Sequence, residues 1–445
     1  MILSEADARS ITNKILGLSK ADSCIVTIGG SEERHVRFAQ NMATTNGSPS
    51  SLGVSVESHF GKKSGAASGT DLGDNALAAL VAASESTAKL APENPEFMPP
   101  IGPQKYPAGT AFSTATQAAT SVMLAGAIQP VLQQAQSKTL LAAGFLSIGA
   151  SFSSFANSHG LFVYEQESDV LHTITVRLPD GTGSGWAGTT HHDFSKLDVA
   201  GMGAVAIDKA VRSQNPVLLP PGKYTVILEP SAVSDLIGIL IGEEFDQRSA
   251  DEGRNFAAKK GGGSRLGENV FGKNVTITSD PNDPLVPGSI YSDDGLPAQR
   301  TTWIENGVLK NLQCGRYWAQ KTKRDPVPSP TSLTMMGGTT STADMIKQTR
   351  RGLLITRFWY IREVDPQTVL LTGLTRDGVF LIEDGVITKP ACNFRFNESP
   401  VAMLNKVVAL GPCVRTYGEE SIGIPTAVPP LLIDEFTLSS VSDAV

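Results

Sequence analysis

Residues 224–247 read YTVILEPSAVSDLIGILIGEEFDQ, and this stretch decides the fold. Tyr224–Glu229 is a strand, and Pro230-Ser231 stops it, with Ser231 placed to cap a following helix. From Val233 to Ile241 that helix is apolar almost all round, so it is expected to be buried on most sides. Downstream, Asn274–Ser279, Val364–Leu374 and Leu431–Leu438 read as strands. Ile304–Leu309 and Ile382–Ile387 place Asn306-Gly307 and Asp384-Gly385 between apolar arms, which suits type I′ hairpins. The region 217–445 is therefore predicted to be a strand-rich domain crossed by one buried helix, 231–248.

Upstream, the chain reads as two smaller α+β units. In 1–92, an amphipathic helix is followed by paired strands Cys24–Gly29 and His35–Gln40 with a turn at Gly29-Gly30. Leu52–Phe60 is a further strand and Asn75–Leu90 a helix. Residues 93–113 are proline-rich and read as a linker. In 114–215, a helix over Thr114–Ser137 precedes strands Leu140–Phe155 and Leu161–Leu178, joined at Asn157–Gly160. A loop through 181–188 then leads to a helix over Phe194–Arg212. The fold class is α+β.

Composition narrows the function. The 445 residues are 40% hydrophobic and 18% charged, with 37 basic against 44 acidic residues and a net charge of −7. That balance offers no broad basic field for nucleic acid and no polybasic membrane anchor. The N-terminal stretch lacks the pattern of a signal peptide, and residues 118–150 are too interrupted by glutamine and lysine to span a bilayer. A cytoplasmic protein is expected. The four cysteines, Cys24, Cys314, Cys392 and Cys413, form no C-x-x-C pair, so reduced thiols are expected.

The chemistry-bearing candidates are few. Glu243 and Gln247, four apart, extend the buried helix into polar residues. A desolvated carboxylate there suits a general base, but on position alone the plainer reading, a helix end emerging into water, is preferred. A zinc protease needs converging imidazoles, yet all six histidines precede residue 193 and no H-E-x-x-H occurs. His191-His192 read as two surface side chains, since neighbours diverge in either helix or strand. Gly183–Gly188 matches G-x-G-x-x-G without a βαβ setting and reads as a loop. Residues 258–265, glycine- and lysine-rich, read likewise. Cys413 has no histidine nearby in sequence and reads as a quiet thiol.

The C-terminal half resembles the TldD/PmbA (TldE) family of modulator-of-gyrase, microcin-processing metallopeptidases. The resemblance is carried by the 224–247 stretch, Ser292-Asp293-Asp294-Gly295 with the hairpin Ile304–Leu309, FLIEDGVITKP, and the tail VALGPCVRTYGEESIGIPTAVPPLLIDEFTL. In the TldD branch an H-E-x-x-x-H helix and a late cysteine bind zinc. The resemblance places Gly242, Glu243 and Gln247 on those helix positions and Cys413 on the cysteine, so two imidazoles are gone. It thus implies a PmbA/TldE-like subunit with a vestigial site and no zinc or other cofactor of its own. It further implies a zinc-bearing TldD-like partner in a heterodimer, with a homodimer as the alternative, and unfolded peptide as substrate. Nucleic acid and membrane are not expected partners. An autonomous peptidase with a rearranged metal site, or a peptide-binding homodimer that does not cleave, stand as the other readings.

Overall fold

The computed structural model describes residues 1–292, 294–420 and 423–442. Asp293 of the Ser292–Gly295 element, and Ser421 and Ile422 of the quoted tail, lie outside the described residues. The first half runs α1 (Glu5–Leu18), β1 (Ser23–Ala39), β2 (Met42–Gly47), β3 (Ser50–Phe60), β4 (Lys63–Gly69) and α2 (Asp74–Leu90). It continues with α3 (Thr114–Ala118), α4 (Ser121–Ser137), β5 (Leu141–Asn157), β6 (Phe162–Arg177), β7 (Ser184–His191) and α5 (Val199–Arg212). The strands form one seven-stranded sheet in the order β4-β3-β1-β5-β6-β7, with β2 also on β1. Because β1 pairs with both β3 and β5, the segments 1–92 and 114–215 share this sheet.

Strand alternation gives the sheet two unlike faces. Even-numbered residues such as Val26, Ile28, Val54 and Val56 pack under α1 and α2, while Val36, Phe38, Leu146 and Ile148 pack under α4 and α5. The odd-numbered face carries small and acidic residues in register: Ser31 lies between Ser51 and Ser151, and Ser151 is opposite Glu167. The C-terminal half meets this second face.

That half contains β8 (Gly222–Leu228), α6 (Pro230–Ile239), α7 (Gln247–Asp251), β9 (Ile277–Ser279), β10 (Thr301–Glu305), β11 (Val308–Leu309), α8 (Arg316–Thr322), β12 (Leu333–Met335) and α9 (Thr342–Gln348). It ends with β13 (Arg351–Asp365), β14 (Leu370–Glu383), β15 (Val386–Pro390), β16 (Phe394–Glu398), α10 (Pro400–Leu404), β17 (Val407–Leu410), β18 (Val414–Thr416), β19 (Thr426–Val428) and β20 (Leu431–Val441). Strands β13, β8, β20, β16 and β14 close into a ring through the β13–β14 pairing. A six-stranded sheet, β11-β10-β9-β12-β19-β18, stands beside it. Helix α6 packs on β13, β19, β18 and β8, inside the largest apolar core of the molecule. No helix among the described residues is long and apolar enough to cross a membrane.

The expected hairpins form: Asn306-Gly307 and Asp384-Gly385 all have positive φ, as a type I′ turn requires. Other expectations are corrected. Gly29-Gly30 is no turn but the middle of the 17-residue β1. A Cβ on Gly30 would lie 2.7 Å from the Met1 carbonyl oxygen and 2.9 Å from that of Ser51, so this glycine permits close approach. The loop expected at 181–188 is largely β7, an edge strand. There Gly185 lets α5 press directly on the sheet, the Ala206 carbonyl oxygen lying 2.2 Å from where its Cβ would stand. The helix 114–137 breaks at Ala119, and Thr120 caps its second part by accepting from the Met123 N–H. Val364–Leu374 is the turn between β13 and β14 with its flanks, not one strand.

These contacts separate two adjacent glycines. Gly30→Ala is expected to cost about 1–3 kcal/mol, because the neighbouring backbone cannot yield cheaply. Gly29→Ala meets only the Phe152 carbonyl oxygen at 3.6 Å and is expected to stay within roughly 0.5 kcal/mol of the parent. Urea unfolding of both variants checks the difference; equal stabilities would restore the turn.

Candidate functional site

Helix α6 starts at Pro230, which suits a first helical turn, but Glu229 is its N-cap and makes no side-chain capping bond. Ser231, expected as the cap, lies inside the helix with its Oγ 3.3 Å from Thr416 Oγ1. The helix does not run on to residue 248. Leu240–Glu244 widens into a π-turn, and Phe245 (φ −82°, ψ 55°) leaves the helical path. Phe245 is fully buried, with ring centroids 5.4 Å from Phe256, 6.2 Å from Phe271 and 6.4 Å from Trp303. Anchoring this ring ends the helix, and Asp246 caps α7 by accepting from the Ser249 N–H at 2.7 Å. Glu243 and Gln247 therefore do not share one helical face. The freed carbonyls of the π-turn are taken up by side-chain amides: Gln313 Nε2 donates to Ile241 O at 2.7 Å, and Asn255 Nδ2 to Glu244 O at 2.8 Å.

The four residues singled out from sequence do not come together. Gly242 offers only backbone. Glu243 is exposed and lines an opening of about 470 Å³ with Asp365 and Gln367. Gln247 is buried, and its Nε2 donates to Asp251 Oδ1 at 2.9 Å. Cys413 lies toward the other end of α6. The chain after it meets Ser231 at Thr416 and Asp235 at Glu420, so it runs along the helix toward Glu243. Ser231 and Glu243 are twelve residues apart, roughly 18 Å at ~1.5 Å per residue, and Cys413 precedes the first of these contacts. Burial pushes the Cys413 thiol up to about 11, helped by Asp283, which disfavours the thiolate a metal needs. Among the described residues, no group of three His, Cys, Asp or Glu side chains is placed to hold a metal ion.

Two features were missed. The first is a polar stripe, Ser231, Ser234 and Asp235, inside the buried helix; its i, i+3, i+4 spacing was visible in PSAVSD but overshadowed by the apolar run. Asp235 is 1% exposed, and its Oδ1 accepts from the Glu420 N–H at 2.9 Å. Burial raises its pKa well above the ordinary value, against the opposing pull of that bond and of Arg357. Gly418 passes so close that a Cβ there would sit 2.5 Å from Asp235 Oδ1.

The second feature is a cavity of about 620 Å³ between the odd face of the N-terminal sheet and the C-terminal half. Glu165, Glu167 and Asp169 of β6 line one side, and Arg415, Tyr417 and the loop 423–426 another. Glu165 ties the halves together, accepting from Ser289 Oγ at 2.6 Å and the Ile290 N–H at 2.9 Å. Burial, with Glu165 and Asp169 adding to it, raises Glu167 to about 7. His191 and His192 also line the cavity, their ring centroids 4.6 Å apart; burial, then Arg415, lowers both, His191 to about 4. They are two neutral cleft imidazoles, not the surface pair expected. Sequence could not find this cavity, because its walls come from segments of both halves that lie far apart in the chain.

A helix-backed sheet, a strand ring around a buried helix and a cleft between them define a two-part α+β protein. Residues 221–440 match the PmbA/TldA metallopeptidase C-terminal domain and residues 134–214 the central domain of the same family. The chain belongs to the PmbA/TldD family. It is 24% identical over 284 residues to a metalloprotease of Methanothermobacter thermautotrophicus, covering 59% of this chain and 60% of that protein. It is 30% identical over 173 residues to an uncharacterised protein of Methanocaldococcus jannaschii, covering 39% of each. The chain thus matches less than two thirds of the length of these relatives. Its fold is that of TldE from Thermococcus kodakarensis, with a TM-score of 0.85 at 18% identity over 97% of this chain and 99% of that one. A putative modulator of DNA gyrase from Thermotoga maritima aligns with a TM-score of 0.84 at 17% identity, over 97% and 99%.

Beside Glu243, Glu244 is 9% exposed, and burial followed by a hydrogen bond with the Glu363 carboxyl raises its pKa. A carboxyl that keeps its proton in the fold but releases it near 4.5 when unfolded favours the fold at low pH. That contribution is lost as pH rises from 4.5 through the raised value. Glu244→Gln is therefore expected to lose less stability than the parent between about pH 5 and pH 9, a difference on the order of 1 kcal/mol after solvent screening. Thermal unfolding at both pH values checks it; parallel curves refute it.

Proposed function

We propose that this chain is a PmbA/TldE-like subunit that binds peptide in the inter-domain cleft and completes the proteolytic site of a zinc-bearing TldD-like partner. It holds no catalytic zinc of its own. The observation that carries this reading is the donor chemistry at the end of α6. Gly242 has no side-chain donor, the Gln247 amide is engaged by Asp251, and the Cys413 thiol holds its proton at the far end of the helix. A structural or catalytic zinc site takes imidazole, thiolate or carboxylate converging on one point, and these residues do not fit one. Family membership supports the proteolytic setting, and the cleft supplies a concave surface of ligand-binding size. A cytoplasmic location and the absence of a nucleic-acid or membrane role belong to the same reading, in keeping with the acidic net charge.

Zinc content and peptidase activity, measured for the chain alone and after mixing with a histidine-bearing homologue, test the proposal. Background zinc and no cleavage alone, with cleavage and a mixed dimer on addition of the homologue, are expected. Stoichiometric zinc with hydrolysis by the lone chain would overturn the non-catalytic role. A stable homodimer that ignores the homologue would overturn the partnership.

A further inference from the structure

The cleft holds two ionisable groups that the fold leaves without a counter-charge. Arg415 stands half-buried in its wall, where Nε donates to Thr190 O at 2.7 Å and Nη1 to Leu285 O at 3.0 Å. These two carbonyls take up two of its five N–H groups and bring no net negative charge. Among the described residues no carboxylate pairs with it, and burial alone lowers its pKa to about 10. An uncompensated, partly desolvated guanidinium is costly, and its planar fork matches a carboxylate. The neighbouring His191 and His192 stay neutral, so the imidazoles add no competing charge.

The carboxyls of β6 present the opposite need. Glu165 is occupied by Ser289 and Ile290, and Asp169 lies against Gly149, its Oδ1 2.2 Å from where a Cβ would stand. Glu167, between them, has no hydrogen-bond or ion-pair partner among the described residues. Its two acidic neighbours and its burial hold it near neutrality until a cation arrives. Opposite it in register, Ser151 is small and leaves the space above the sheet open.

We infer that the cleft takes short peptides by their two ends, the terminal carboxylate on Arg415 and the terminal ammonium on Glu167. This rests on the reading of the cleft as a peptide site and narrows it to zwitterionic oligopeptides. An interior stretch of a long chain carries neither end charge and leaves both groups unpaired. A short free peptide supplies both, in charge-assisted bonds stronger than those between neutral groups.

Calorimetric titration of the full chain with tri- and tetra-alanine, free, N-acetylated, C-amidated and doubly capped, tests this. Each single cap is expected to weaken binding about tenfold. Arg415→Met should remove the penalty of amidation and keep that of acetylation, Arg415→Lys should restore part of it, and Glu167→Gln should do the reverse. The comparison of caps on the unmodified protein needs no variant to fold. Equal binding of all four forms would overturn this inference and leave the peptide cleft standing. Binding of a long unfolded chain but of no alanine peptide would do the same. If no peptide of any kind binds, the peptide-cleft reading falls and takes this inference with it.

Discussion

Arg357 is one of the side chains that hold the two halves of the molecule together, and the one that gathers the most elements. Its Nε lies 2.8 Å from Asp377 Oδ2, its Nη1 pairs with Glu419, and its guanidinium sits 4.9 Å from the ring centre of Trp186. One group thus joins the strand ring, the tail that crosses α6, and the edge strand of the N-terminal sheet. Burial opposes its charge, but Asp377 and Glu419 outweigh that and keep the proton bound. A lysine would keep the charge and lose the flat contact with the indole and the forked contact with the carboxylates. With Glu419 held, Glu420 is set to cover Asp235, whose burial in an apolar helix would otherwise be hard to sustain.

The cleft follows from the strand alternation of the N-terminal sheet. Its even face is filled with valine, isoleucine and phenylalanine and disappears under helices. Had the odd face been filled in the same way, the C-terminal half would have packed flush against it and formed one continuous core. Instead Ser31, Ser151 and Ser153 keep it low, and Glu165 reaches across to Ser289. The two halves therefore meet through one apolar cluster, where Ile290 packs with Phe155, Leu161 and Val163, and through polar contacts such as Tyr291 Oη to Ser153 Oγ at 2.8 Å, and they enclose a cavity between them.

What could be read from the sequence was local. Both Asn-Gly and Asp-Gly hairpins, the strand–turn–strand through Asn157–Gly160 and the burial of Val233–Ile241 are set by turn chemistry and apolar pattern within about ten residues. The end of α6 was not readable, because it is fixed by Phe245 lodging among Phe256, Phe271 and Trp303. Gly29-Gly30 looked like a turn because glycine marks both turns and close approaches, and only the positions of Ser51 and Met1 tell them apart. The buried Asp235 was within reach of pattern reading, and its i, i+4 relation to Ser231 was the signal. Arg415 and Glu167 were not, since 248 positions separate them in the chain.

Hydrolysis needs a group that is ionised and free to act on water or on a scissile carbonyl. Around α6, burial pushes Asp235 and Glu244 toward the protonated acid and Cys413 toward the thiol. In the cleft the two imidazoles are neutral, and among the described residues no third ligand joins them to make a metal set. In the cleft Arg415 has no carboxylate partner among the described residues, and an anion there relieves the cost of burial without any bond being broken. Such an arrangement favours holding a ligand over transforming it. That arrangement is what the proposed role of a subunit completing a partner's site would use.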